Sequence, residues 1–127
     1  MGSAFAKKLI GFGVTIIAYD KYKSSLADTF VKQVDYATLL QESDIVSLHL
    51  PLTDETTHFV NEKFIAEMNK PFYLINTARG KNVSLAALNE GIKSKKIIGA
   101  CLDVLEIEKS SFENINLNNH PIMKELS

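Results

Sequence analysis

The sequence holds a single cysteine, no tryptophan and no excess of either charge, with 14 Lys and Arg against 15 Asp and Glu in 127 residues. One cysteine cannot close an internal disulfide, so nothing points to an oxidising compartment. A net charge of −1 removes the electrostatic case for a nucleic acid or a polybasic membrane contact. No apolar run approaches the ~20 residues that span a bilayer. Met1-Gly2-Ser3-Ala4 lacks the charged start and apolar core of a signal peptide. Three scattered histidines and one cysteine offer no metal-ligand spacing. There is no low-complexity tract and no internal linker. The expectation is a soluble, cytoplasmic globular domain, and the length fits one domain of about 100–150 residues.

What is present is a rhythm of short apolar runs. Val14–Tyr19 ends at Asp20, Asp44–Leu50 ends at Pro51, Phe72–Asn76 ends at Thr77, and Lys96–Leu102 ends at Asp103. Such near-continuous runs suit strands buried on both faces, which occur mainly in parallel sheets. The steps from Asp20 to His49, Thr77 and Asp103 are 29, 28 and 26 residues. A strand, a crossover helix and two loops need about 30 residues, so the spacing predicts successive βαβ units.

The intervening segments read as helices. Ser3–Phe12 puts Phe5, Leu9 and Phe12 on one face, and Asp35 opens a helix running to Glu42. Asn61 caps Glu62–Met68, and Ser84 caps a helix that has Gly91 within it or just after it. Val31–Val34 adds a short edge strand, and a weak helix is expected around 121–126. The fold class is α/β and Rossmann-like, with a mostly parallel sheet and helices on both faces.

In open α/β sheets, ligands bind beyond the carboxyl ends of the strands. The residues just after each run therefore matter most: Asp20, His49, the Thr77-Ala78-Arg79-Gly80 turn and Asp103. Asp20 reads either as a turn cap or as the acid that binds ribose hydroxyls of a dinucleotide. In the second role its charge would repel a 2′-phosphate and favour NAD over NADP. His49, taken alone, is more often a packed histidine than a catalyst. With Leu50 and Pro51 it suits a wall on the adenine side. Arg79 can recognise a carboxylate bidentately and polarise a carbonyl, or simply pair with a surface acid. An acid five residues beyond a strand can orient a histidine, and Asp103 is followed by Glu106 and Glu108. Cys101 reads as core.

Four stretches together carry a resemblance: GSAFAKKLIGFGVTIIAYD, SDIVSLHLPLTDETTHFVN, LINTARGKNVSLAALNEGIKS and KIIGACLDVLEIE. In order and spacing they are similar to the NAD-binding domain of the D-isomer-specific 2-hydroxyacid dehydrogenases. The resemblance covers roughly residues 2–108, and HLPLT, NTARG and LDVLE in combination carry it. It implies that Gly2 stands at the last glycine of a G-x-G-x-x-G turn and that Asp20 binds ribose. It puts His49, Leu50 and Pro51 near the adenosine half, and Thr77, Ala78 and Arg79 along the nicotinamide side. Arg79 falls at the catalytic arginine, Asp103 near the carboxamide, and Glu108 at the glutamate that orients a catalytic histidine.

The implied reaction is reversible hydride transfer between NAD and a 2-hydroxy acid, in a homodimer. The sequence departs from the family at its start, where the first strand and first two glycines have no counterpart. It departs again near its end, where the family's catalytic histidine has none; His120 resembles the stretch upstream of it. Lys109 stands where many relatives have proline. The expectation is a partial NAD-binding domain over residues 1–127, first strand missing and substrate domain absent. Two other readings stay open: an NAD-sensing module of corepressor type, and a non-catalytic remnant.

Overall fold

The computed structural model describes residues 2–25 and 30–105, and the chain divides after Ser43 into two compact units. Glu106, Glu108, Lys109, His120 and the helix expected around 121–126 lie outside the described residues.

The first unit opens with α1 (Gly2–Leu9), which buries none of its residues. The helix ends three residues earlier than the apolar pattern predicts. Gly11 (φ 102°) and Gly13 (φ 70°) take left-handed conformations that an L side chain resists, so the chain turns out of the helix there. Phe12, expected on the helix face, is consequently exposed. β1 (Ile16–Ala18) pairs in parallel with β2 (Val31–Gln33), with Ile17 opposite Lys32. The edge strand expected near Val31 is therefore present. α2 (Tyr36–Glu42) begins where Asp35 accepts a hydrogen bond from the Thr38 N–H at 2.8 Å, the cap that the sequence predicts. The hydroxyl and N–H of Thr38 together hold the Asp35 carboxyl below the usual carboxylate range.

The second unit is a run of βαβ steps: β3 (Ile45–Leu48), α3 (Glu62–Glu67), β4 (Phe72–Asn76), α4 (Leu85–Lys93) and β5 (Ile97–Leu102). The strands form one parallel sheet in the order β3-β4-β5. Both helices start at predicted caps, with the Asn61 side chain accepting from the Phe64 N–H and Ser84 Oγ from the Ala87 N–H. Gly91 lies inside α4. The helices pack on the face carrying Val46, Leu48, Phe72, Leu74 and Ile97, where Phe64 meets Phe72 edge-on at 6.2 Å. Burying each such side chain contributes roughly 1.5–3 kcal/mol, so this layer is the main source of the unit's stability.

On the other face of the sheet, Ile45 and Tyr73 are exposed among the described residues. Strand burial is thus one-sided in this unit, because α3 and α4 both lie on the same face. Cys101 departs from its expected place in the core and is exposed. The cause is a one-residue bulge: Phe72 pairs with Ile97 but Tyr73 with Gly99, leaving Ile98 without a register partner. Past the bulge, Cys101 aligns with Ile75 on the less covered face. Among the described residues, no helix is long and apolar enough to cross a membrane.

Candidate functional site

In the second unit, Leu48, Asn76 and Leu102 are register partners across all three strands. The residues that follow them, His49, Thr77 and Asp103, therefore leave the sheet side by side at its carboxyl edge. This edge is built by parallel pairing, which aligns strand ends instead of alternating them.

The β4 exit is braced by Asn76. Asn76 is fully buried, and its side-chain Oδ1 accepts the Ala78 N–H at 3.0 Å while its Nδ2 donates to the Arg79 carbonyl at 3.0 Å. The Asp103 N–H donates to the Asn76 main-chain carbonyl at 3.0 Å. Thr77 and Arg79 are exposed, Ala78 is half-buried, and Arg79 Nη1 donates to the Ala78 carbonyl at 2.7 Å. A 3₁₀ turn follows over Gly80–Asn82, with the Asn82 N–H donating back to the Arg79 carbonyl at 3.1 Å.

That turn is stitched to the loop after β3. The His58 N–H donates to the Lys81 carbonyl at 2.7 Å and the Val60 N–H to the Asn82 carbonyl at 3.0 Å. Asn82 is fully buried, donates its Nδ2 to the Thr56 carbonyl at 3.0 Å, and leaves Oδ1 without a partner. The loop itself closes on threonines. The Thr53 N–H donates to Thr56 Oγ1 at 2.8 Å, and Thr56 Oγ1 donates to the Pro51 carbonyl at 2.6 Å. Leu50 is half-buried and Pro51 exposed at the head of this loop. His49 is half-buried, with Nε2 2.9 Å from Ser47 Oγ, and burial pushes its imidazole pKa down. A lowered value favours the neutral ring near pH 7.

In the first unit, Asp20 follows β1 directly. Its Oδ1 accepts the N–H groups of Tyr22 at 2.8 Å and Lys23 at 3.0 Å, closing a tight turn. Those two bonds hold the carboxyl below its ordinary range, Tyr22 contributing most. The turn-capping reading of Asp20 is thus realised, and it leaves Oδ2 as a second acceptor. An ionised carboxylate with one oxygen to spare fits the hydroxyls of a ribose. Gly2 is the first residue of α1.

Among the predicted residues, the structure brings His49, Thr77, Ala78, Arg79 and Asp103 to the exits of neighbouring strands in one unit. Asp20 and Gly2 belong to the other unit, and Glu108 lies outside the described residues. Sequence reasoning misses Asn76, although a signal was available: a lone amide closing an otherwise apolar run. It also misses Asn82, whose burial depends on a loop 26 residues away.

Comparisons with known proteins converge. The model of the D-isomer specific 2-hydroxyacid dehydrogenase NAD binding domain matches residues 1–124. A hydroxypyruvate reductase of Thermotoga maritima is 43% identical over 113 residues, covering 89% of this chain and 37% of the relative. A glyoxylate reductase of Thermofilum pendens is 42% identical over 127 residues, covering 98% of this chain and 36% of the relative. The chain therefore spans little more than a third of the length of these curated relatives. The crystal structure of a D-lactate dehydrogenase with NAD+ from Lactobacillus jensenii superposes with a TM-score of 0.87 at 35% identity, over 98% of this chain and 38% of that one. A D-isomer specific 2-hydroxyacid dehydrogenase from Lactobacillus delbrueckii, in its NAD complex, gives 0.87 at 38% identity over 98% of this chain and 39% of that one. With parallel strands, polar strand exits and a family match over nearly every residue, the chain belongs to the D-isomer specific 2-hydroxyacid dehydrogenase family, of which it carries the NAD binding domain.

Proposed function

We propose that this chain is the cofactor-binding part of an NAD-dependent oxidoreductase that interconverts a D-2-hydroxy acid and its 2-oxo acid. The observation that carries the reading is the braced exit of β4, where Arg79 stands beyond a turn tied at both ends by Asn76. The relatives named a hydroxypyruvate reductase, a glyoxylate reductase and a D-lactate dehydrogenase all act on small 2-oxo or 2-hydroxy acids. Their common demand is a cation that grips a carboxylate beside a carbonyl.

Arg79 meets that demand. Its guanidinium donates to the substrate carboxylate and polarises the adjacent carbonyl oxygen, lowering the barrier to reduction at that carbon. NAD, when bound, supplies the carbon that takes or gives the hydride. Asp20 accepts from the ribose hydroxyls through Oδ2 and disfavours a 2′-phosphate by charge repulsion. Gly2 lies at the phosphate turn. His49, Leu50 and Pro51 line the adenosine half, while Thr77, Ala78 and Asp103 hold the nicotinamide half. Glu108 orients a histidine contributed by a further segment, and that histidine moves the substrate proton. Residues 1–127 form part of one NAD-binding domain, and a separate substrate domain selects the acid. The whole protein acts as a cytoplasmic homodimer.

The test is oxidation of NADH by the whole protein against a panel of 2-oxo acids that includes pyruvate, glyoxylate and hydroxypyruvate. Turnover of at least one at a rate set by the enzyme supports the reading. Tight NADH binding with no turnover of any acid overturns it in favour of a sensing module.

A further inference from the structure

We propose that Asn76 is a positioning residue for the reaction, acting through Arg79. The inference rests on the proposed role of Arg79 and adds a residue that touches neither substrate nor cofactor.

The position is one that packing alone would fill with a hydrocarbon. Asn76 is fully buried, on the same face of β4 as fully buried Leu74, and in register between Leu48 and Leu102. Most buried amides have their polar atoms bonded, and here both ends of the amide are used on one turn. Oδ1 takes the Ala78 N–H and Nδ2 gives to the Arg79 carbonyl, each at 3.0 Å. The carbonyl of Arg79 is thus held from two directions, since the Asn82 N–H also donates to it at 3.1 Å. The main-chain carbonyl of Asn76 meanwhile accepts from Asp103 at 3.0 Å. One buried residue therefore ties together the peptide that launches the Arg79 side chain and the exit of the neighbouring strand.

Arg79 itself is exposed and has an extended backbone, φ −143° and ψ 141°. Its guanidinium donates to the Ala78 carbonyl at 2.7 Å, so the direction of the side chain depends on the peptide that Asn76 holds on both sides. A small misplacement of a substrate-gripping group costs rate out of proportion to its effect on stability.

The experiment is a double-mutant cycle in the whole protein, using NADH and whichever 2-oxo acid is turned over best. Asn76→Asp keeps an oxygen for the Ala78 N–H but removes the donor to the Arg79 carbonyl. It should lower kcat/KM for the oxo acid about 10- to 100-fold while the KM for NADH moves by less than about threefold. In an Arg79→Ala background the same change should cost less than about twofold, because the group it positions is gone.

Three results overturn the proposal: Asn76→Asp within about twofold of the parent, an undiminished loss in the Arg79→Ala background, or an NADH KM that rises as steeply as the rate falls. Should Asn76→Asp fail to fold, Asn76→Ser is read through the same cycle, since a hydroxyl and a water can replace the amide. Loss of NADH binding in both variants overturns the proposal, for Asn76 would then support the fold alone. Failure of the underlying reading looks different: Arg79→Ala by itself leaves turnover unchanged, and the proposal falls with it.

Discussion

Gly91 in α4 lies so close to Ile97 in β5 that a β-carbon on the glycine would stand 2.7 Å from Ile97 Cδ1 and 3.0 Å from its Cγ1. Ile97 is fully buried, and the same β-carbon would stand 3.4 Å from Ile65 Cδ1. The isoleucine is enclosed in the core, so helix and strand approach closely at this glycine.

Gly91→Ala should therefore destabilise the chain even though alanine favours a helix by about 1 kcal/mol over glycine. Overpacking of about 1–3 kcal/mol exceeds that gain, and a net loss near 1 kcal/mol is expected in denaturant melts. Ile97→Val, which removes Cδ1, should restore most of the loss in the double variant. A more stable Gly91→Ala would show that the layer can part.

Asp20 caps its turn, and substitution can separate that duty from the proposed contact with ribose. Asn keeps an acceptor for the Tyr22 and Lys23 N–H groups, so Asp20→Asn preserves the turn and removes only the charge. Discrimination against NADP should relax roughly tenfold or more in Asp20→Asn, because the repulsion of a 2′-phosphate is gone. Asp20→Ala should lose NAD affinity as well, since the turn opens. Cofactor titrations of both variants check this, and unchanged preference in each would remove Asp20 from the ribose site.

Burial holds the His49 pKa below its ordinary value, which fixes the sign of a pH effect. The unfolded chain takes up the proton near pH ~6.5, before the folded one does. The contribution to stability is complete above that pH and is lost as pH falls through the lower folded value. Melts between pH 7 and 5 should show declining stability, and His49→Gln should flatten part of that slope. An identical slope in the variant would mean that other groups carry it.

The unpartnered Oδ1 of Asn82 predicts an unusual tolerance. Asn82→Leu loses the bond to the Thr56 carbonyl, but that carbonyl keeps the Phe59 N–H at 3.2 Å, and a buried orphan acceptor disappears. The change in stability should stay within about 1 kcal/mol. Asn82→Asp, of nearly the same shape, should cost about 3 kcal/mol or more, because it buries an unpaired charge. Denaturant midpoints of the two variants decide it; a larger loss for Asn82→Leu than for Asn82→Asp would mean that shape, not polarity, governs the position.

Local chemistry was legible in the sequence; distant geometry was not. Asp35, Asn61 and Ser84 are caps because a short side chain reaches an N–H three residues on, and that requires no knowledge of the fold. The alignment of His49, Thr77 and Asp103 follows from apolar runs ending in polar residues at a βαβ interval. The apolar pattern alone puts Phe12 on the helix, because glycine permits a left-handed turn without requiring one. Cys101 was misplaced because one extra residue opposite the Phe72–Tyr73 step reverses the faces of the rest of β5. The clamp made by Asn76 needed the turn to exist before its side chain could be seen to close it.

The bulge at Ile98 has a consequence for how this strand can vary between relatives. Pairing is regular on both sides of it, and Gly99 to Leu102 keep their partners on β4 whatever happens at the unpaired position. A relative one residue shorter there could join Ile97 directly to Gly99 and still deliver Asp103 to the same edge. Changes in chain length are thus absorbed at the amino end of β5, and the strand exit at Asp103 is insulated from them.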